Sequence, residues 1–142
     1  MSEAASQDEE HLRLLEIFHY VMGGLAGLFA LFPIIHLVVG FGIIVSANAS
    51  EDGSGPPAFF GWFFVGIALL FICIGLAMAG AIVTTGRYLA QRRRHLFCLV
   101  VAGLECAAFP FGTVLGVFTI IVLSRDSVKQ LFAEAETAAA LP

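Results

Sequence analysis

Charge is scarce in this sequence. Of its 142 residues only 13% are Asp, Glu, Lys or Arg and 59% are hydrophobic, whereas about a quarter of a soluble domain is charged. A mean hydropathy of +0.94 points the same way, and the reading is a chain solvated by lipid. Basic residues are fewer still: seven Lys and Arg against eleven Asp and Glu. Four of the seven, Arg87, Arg92, Arg93 and Arg94, lie together. One short basic stretch is not the basic face that nucleic acid requires, so no nucleic-acid partner is expected. Only three cysteines occur, Cys73, Cys98 and Cys106, with no CxxC spacing. They are read as small packing residues, not as a disulfide framework or a metal site. No Ser-His-Asp set, phosphate loop, HExxH or paired carboxylates appear, and no enzymatic activity is expected. A basic leader is lacking too, because the first sixteen residues are acidic where a cleavable signal would be positive.

What is present is a succession of long apolar runs. The spacing Ser6-x-x-Glu9 predicts a capping box at a helix start, followed over residues 6–16 by an amphipathic lead-in with Leu12, Leu15 and Phe18 on one face. Residues 17–45 form the first predicted span. As a helix they reach about 43 Å, enough to cross a hydrocarbon core of about 30 Å once but not twice. Pro33 supplies the kink. Residues 46–57, rich in Gly, Ser, Asn and Pro, read as an external loop carrying Glu51 and Asp52. Asn48-Ala49-Ser50 within it matches a glycosylation acceptor and is taken as coincidence. Residues 58–84 form the second span, opened by an aromatic cluster around Trp62 that suits an interfacial belt.

Residues 85–95 read as a basic cytoplasmic loop. Short Lys- and Arg-rich loops stay inside, so the N-terminus is expected to be cytoplasmic as well. Arg87, Arg92, Arg93 and Arg94 are its topology determinants and its candidates for contact with lipid headgroups. The next apolar run divides at Phe109-Pro110-Phe111-Gly112, with proline and glycine where a type I turn places them. Residues 96–109 and 111–124 are therefore predicted as a helical hairpin, with Pro110, Gly112 and Thr113 at its turn. The hairpin returns Arg125 and Lys129 to the arginine side. The expected fold is all-α and polytopic, with four transmembrane helices in a single membrane domain. The alternative is three kinked spans. Residues 125–142 are the cytoplasmic tail, with Val128, Leu131 and Phe132 at helical spacing and disorder or a fraying helix end beyond Ala133.

Over residues 87–132 the chain resembles a set of small bacterial inner-membrane proteins. The likeness rests on the arginine-rich stretch, Pro110, Gly112, Thr113, Gly116 and Thr119, with weaker support from His-Tyr-Val and Phe-Pro-Ile-Ile-His in the first half. Such proteins are described as four-helix membrane proteins without an assigned activity. The resemblance therefore implies an inner-membrane location and supports the topology, and implies nothing about chemistry.

Few residues are placed to do chemistry. Glu105 lies about 16 Å along a helix from Arg94, near the bilayer centre, where a carboxylate costs ~2.5–3.5 kcal/mol to insert. His36, one turn after Pro33, is its expected partner. Small residues at Gly23 and Gly27, and at Gly112 and Gly116, offer faces for close helix packing. No cofactor is expected, although His19 and His95 near the cytoplasmic interface have the disposition of a haem-ligating pair. The leading functional expectation is an accessory or interaction subunit whose partners are the bilayer and either other membrane subunits or its own copies. The alternative is a homo-oligomeric channel or proton-coupled carrier using Glu105 and His36.

Overall fold

Side chains that recur every three or four residues put one stripe of each helix against its neighbours and leave the rest outward. A computed structural model describes residues 3–50, 55–108 and 110–140, and among these it is wholly helical, without a strand. The helices are α1 (Glu3–Ala30), α2 (Ile34–Ala49), α3 (Ala58–Gln91), α4 (His95–Glu105), α5 (Phe111–Leu123) and α6 (Asp126–Ala140). The chain divides into two units, Met1–Gly24 with Gly80–Pro142, and Leu25–Ala79.

In the first unit the inward stripes are read directly from the spacing. Asp8, Leu12, Leu15 and His19 of α1 are buried, as are Ile82, Thr85 and Leu89 of α3, and Cys98, Val101, Ala102 and Glu105 of α4. Leu115, Thr119, Val122 and Leu123 of α5 meet them, and Val128 and Phe132 of α6 complete the core. Phe18, expected on the inner face, points outward. α4 and α5 are antiparallel: His95 at the start of α4 donates from Nε2 to the carbonyl of Leu123 at the end of α5, 2.8 Å away. At the other end the Thr113 hydroxyl donates to the Cys106 carbonyl at 2.8 Å. The expected hairpin is therefore present.

Its turn falls earlier than the proline spacing suggests. α4 stops at Glu105, and the backbone N–H of Ala108 closes the turn on the Glu105 carbonyl at 2.8 Å. Phe109 lies outside the described residues. Pro110 has helical dihedrals, φ −92° and ψ −26°, and sits at the N-cap of α5. A proline is well suited to a helix start, where its missing donor is not needed.

In the second unit α1 runs to Ala30, and a short turn over residues 31–33 leads into α2. Pro33 causes this break as expected. It has no N–H to give the Phe29 carbonyl, which instead accepts from Phe32 at 3.1 Å in a tighter three-residue turn. Contact with α3 is made through small residues. A Cβ added to Gly61 would lie 2.8 Å from the Gly40 carbonyl oxygen, and one added to Gly40 would lie 2.9 Å from that of Gly61, so the two backbones touch. Gly75 meets Ala30, and Gly27 meets Ala79 at an ordinary 3.8 Å. The larger side chains of this unit face outward: Phe29 is 75% exposed and Phe59 70%.

Several predicted boundaries shift. α1 begins at Glu3, so Ser6 lies inside it, and Glu9 pairs with Arg92 at 2.7 Å. α2 continues to Ala49, past the expected loop start, with Ser46 and Ser50 donating back to the carbonyls of Ile43 and Ser46. Glu51 and Asp52 lie outside the described residues. α3 takes in Arg87 and leaves only residues 92–94 as the loop. Helix also persists through the tail to Ala140, because the alanine and glutamate that carry no apolar face are strong helix formers.

Candidate functional site

The inward stripe of α1 and that of α4 each carry one ionisable group above the core, and the fold brings them together. His19 is fully buried and Glu105 only 2% exposed. His19 Nε2 stands 3.4 Å from Glu105 Oε2. On its other side the ring is fixed by Nδ1, 2.8 Å from the carbonyl oxygen of Leu15. A carbonyl only accepts, so Nδ1 carries a proton. One further proton then satisfies the pair, held on Nε2 as imidazolium facing carboxylate, or on Oε2 as carboxylic acid facing neutral imidazole. Either arrangement is neutral overall. A bare charge at this depth would face a desolvation penalty of several kcal/mol.

The contact is close but not a directed hydrogen bond. Nε2 and both carboxylate oxygens of Glu105 have no hydrogen-bond partner among the described residues, and 3.4 Å exceeds the 2.7–2.9 Å typical of charge-assisted bonds. Glycines allow the neighbouring helices to close on the pair. A Cβ on Gly86 of α3 would lie 3.3 Å from His19 Cβ, and one on Gly112 of α5 would lie 2.6 Å from the Glu105 carbonyl oxygen. One turn on, a Cβ on Gly116 would collide with the Ala102 carbonyl.

Below the pair, polar contacts join the ends of the helices. Asp8 is buried and accepts from Ser127 at 2.6 Å and from Arg125 at 3.0 Å. Arg92 holds Glu9, and the backbone N–H of Arg94 donates to Glu136. The Arg94 guanidinium lies over the Tyr88 ring, 5.6 Å from its centroid. Arg87 and Arg93 are exposed.

The partner of Glu105 is thus His19, where the sequence suggested His36. His36 belongs to the other unit, is exposed, and stacks on Phe64 with centroids 6.2 Å apart. His19 is detectable in the sequence once it is placed on the stripe of Asp8, Leu12 and Leu15. Gly112 and Gly116 pack inside the α4–α5 hairpin, Gly27 packs on Ala79, and Gly23 is buried. The Gly40–Gly61 contact was not anticipated, although both glycines lie within predicted spans. The two histidines considered for haem have their Nε2 atoms turned to Glu105 and to the Leu123 carbonyl. Ligation of a shared iron through those atoms would break both contacts, so the donor set does not fit that group. No cluster of three or more His, Cys, Asp or Glu suited to a metal ion exists among the described residues.

Compared with protein-family models, curated proteins and solved structures, the chain matches none.

Proposed function

We propose that this chain is a non-enzymatic integral membrane protein of the bacterial inner membrane that serves as an accessory or interaction subunit. The observation that carries the reading is the outward apolar surface of the unit Leu25–Ala79, where Leu28, Phe29, Val38 and Phe59 are among the most exposed side chains. Water would not tolerate so continuous a hydrocarbon surface, and lipid or another apolar helix would cover it. Two stretches, Ser6–Ala49 and Ala58–Gln91, are long and apolar enough to cross. The α4–α5 arms, at about 16 and 20 Å, fall short of a core of about 30 Å and are read as a re-entrant pair entering from the arginine side. On this reading both termini are cytoplasmic, and Arg87 and Arg93 meet lipid headgroups. A partner helix would pack on Gly42 and Gly66, which have open space above them, because the glycines first considered are engaged within the chain.

Purification with native lipid followed by native mass spectrometry tests the subunit role. Co-purifying foreign membrane subunits are the expected result, and a bare monomer in native lipid would remove the proposal. A cysteine placed at Ser127 is expected to resist labelling from outside intact cells. A second reading, a homo-oligomeric proton-coupled carrier or channel, draws support from the buried His19–Glu105 pair. A symmetric oligomer without foreign subunits would favour it.

A further inference from the structure

We infer that His19 and Glu105 form a reversible proton-binding site that fastens the α4–α5 hairpin to α1. The inference deepens the second reading above and shares its premise of a membrane-embedded chain. The transfer within the site is balanced. A proton leaves Nε2 for Oε2, converting imidazolium and carboxylate into imidazole and carboxylic acid with the total charge unchanged. Gain of one more proton gives imidazolium beside carboxylic acid, charge +1, and loss of the shared one gives imidazole beside carboxylate, charge −1. Each of those states strands a net charge in a site that is fully buried on one side and 2% exposed on the other. The one-proton state docks the hairpin and the other two loosen it.

Three features of the site point to a proton as its ligand. First, the three polar atoms at the centre, His19 Nε2 and both Glu105 oxygens, are buried without hydrogen-bond partners among the described residues, and Nε2 and Oε2 face each other at 3.4 Å, so a proton between them meets an acceptor on either side. Second, Nδ1 is committed to the Leu15 carbonyl, which leaves Nε2 as the atom that changes state. Third, among the described residues no other ionisable group is in ion-pair contact with the site. On α1 the titratable neighbours are Arg13, Glu16 and Tyr20; on α3, within this unit, Arg87 and Tyr88; on α4, His95 and Cys98, with Cys106 at its C-cap beside Gly116. α5 has none. Of these, Glu16 and Tyr20 approach through the Glu16 carbonyl and the Tyr20 ring edge at Gly86, and His95 is bonded to Leu123.

The test is solid-state or solution NMR on the full chain in lipid nanodiscs, with nitrogen-labelled histidine and carboxyl-labelled glutamate. His19 is assigned by His19→Gln. The expected result is that the His19 ring nitrogens and the Glu105 carboxyl respond together as one coupled pair, and that Glu105→Gln changes the His19 response. Amide hydrogen exchange supplies the conformational readout. After correction for intrinsic rates, α4 and α5 should exchange at least tenfold faster in the second-proton state. That acceleration should vanish in the double variant His19→Leu/Glu105→Leu, which has no proton to bind there. The inference is overturned if neither resonance moves between about pH 5 and 8, if the His19 response is the same with and without the Glu105 carboxyl, or if the double variant accelerates equally. A chain that fails to enter nanodiscs would instead defeat the membrane reading, and the same titration in micelles would still decide the pair.

Discussion

The two units hold their helices together by different means. In the unit Leu25–Ala79, helices meet where side chains are smallest: backbone touches backbone at Gly40 and Gly61, and Ala30 and Gly75 repeat the arrangement one stretch along. In the other unit, helices meet through polar groups at three levels. Asp8 ties to Arg125 and Ser127, Glu9 ties to Arg92, and His19 faces Glu105 deeper in. Dispersion and close approach, the force available between helices in hydrocarbon, suit the first arrangement. The second is specific in register and carries a penalty when any one partner is lost. Both units pack small and apolar residues, and the unit holding His19 and Glu105 adds polar pairs between its helices.

The largest loss is expected at the buried pair. His19→Ala leaves a carboxyl without a partner and is expected to destabilise by about 3–5 kcal/mol, with most of that loss recovered in His19→Leu/Glu105→Leu, because a well-packed apolar pair replaces a buried ion pair with little penalty. Reversible unfolding in mixed micelles measures both, and equal losses in the single and double variants would show that the contact is not a pair. Next is Gly61→Leu in the small-residue unit. The added side chain must displace the Gly40 backbone, and a loss of about 2–3 kcal/mol is expected in the same assay.

A smaller effect belongs to Asp8→Ala. Its two charge-assisted contacts are half in water on the Arg125 side, so about 1–2 kcal/mol is expected to be lost, with faster hydrogen exchange at the start of α6 as the local signature. Smallest is Gly66→Ala, at a glycine with nothing within 4 Å. Here the sign reverses to a gain of about 0.5 kcal/mol, because the helix no longer carries the entropy of a free glycine. A loss at Gly66 measured in native lipid but not in detergent would locate a partner helix on that face.

Helix existence was legible from the apolar runs, and the α4–α5 hairpin from where its flanking charges fall. Both follow from local composition. The pairing of Glu105 was not legible, because it depends on which of two histidines in α1 and α2 shares its unit. The sequence suggested His36 by its place one turn after Pro33, while His19 lies on the buried stripe of Asp8, Leu12 and Leu15 and meets Glu105. Boundaries shifted for a related reason. Ser46 and Thr85 look like loop residues, yet each donates its hydroxyl back to a carbonyl three or four residues earlier and lets the helix continue. The glycine contact at Gly40 and Gly61 depends on the register of two helices, which no single stretch records.

The end of α3 gathers positive charge at a sharp reversal of the chain. The N–H of Arg93 returns to the Tyr88 carbonyl and that of Arg92 to Leu89, the double closure that normally ends on a glycine, yet the left-handed residue here is Arg92, with φ 52°. Arg94 adopts the same hand two residues later. An easier bend was available to the chain, and cations occupy it instead. The reversal between α3 and α4 is thereby locked to a cluster of guanidinium groups, so this corner cannot be drawn through a membrane without dragging charge with it.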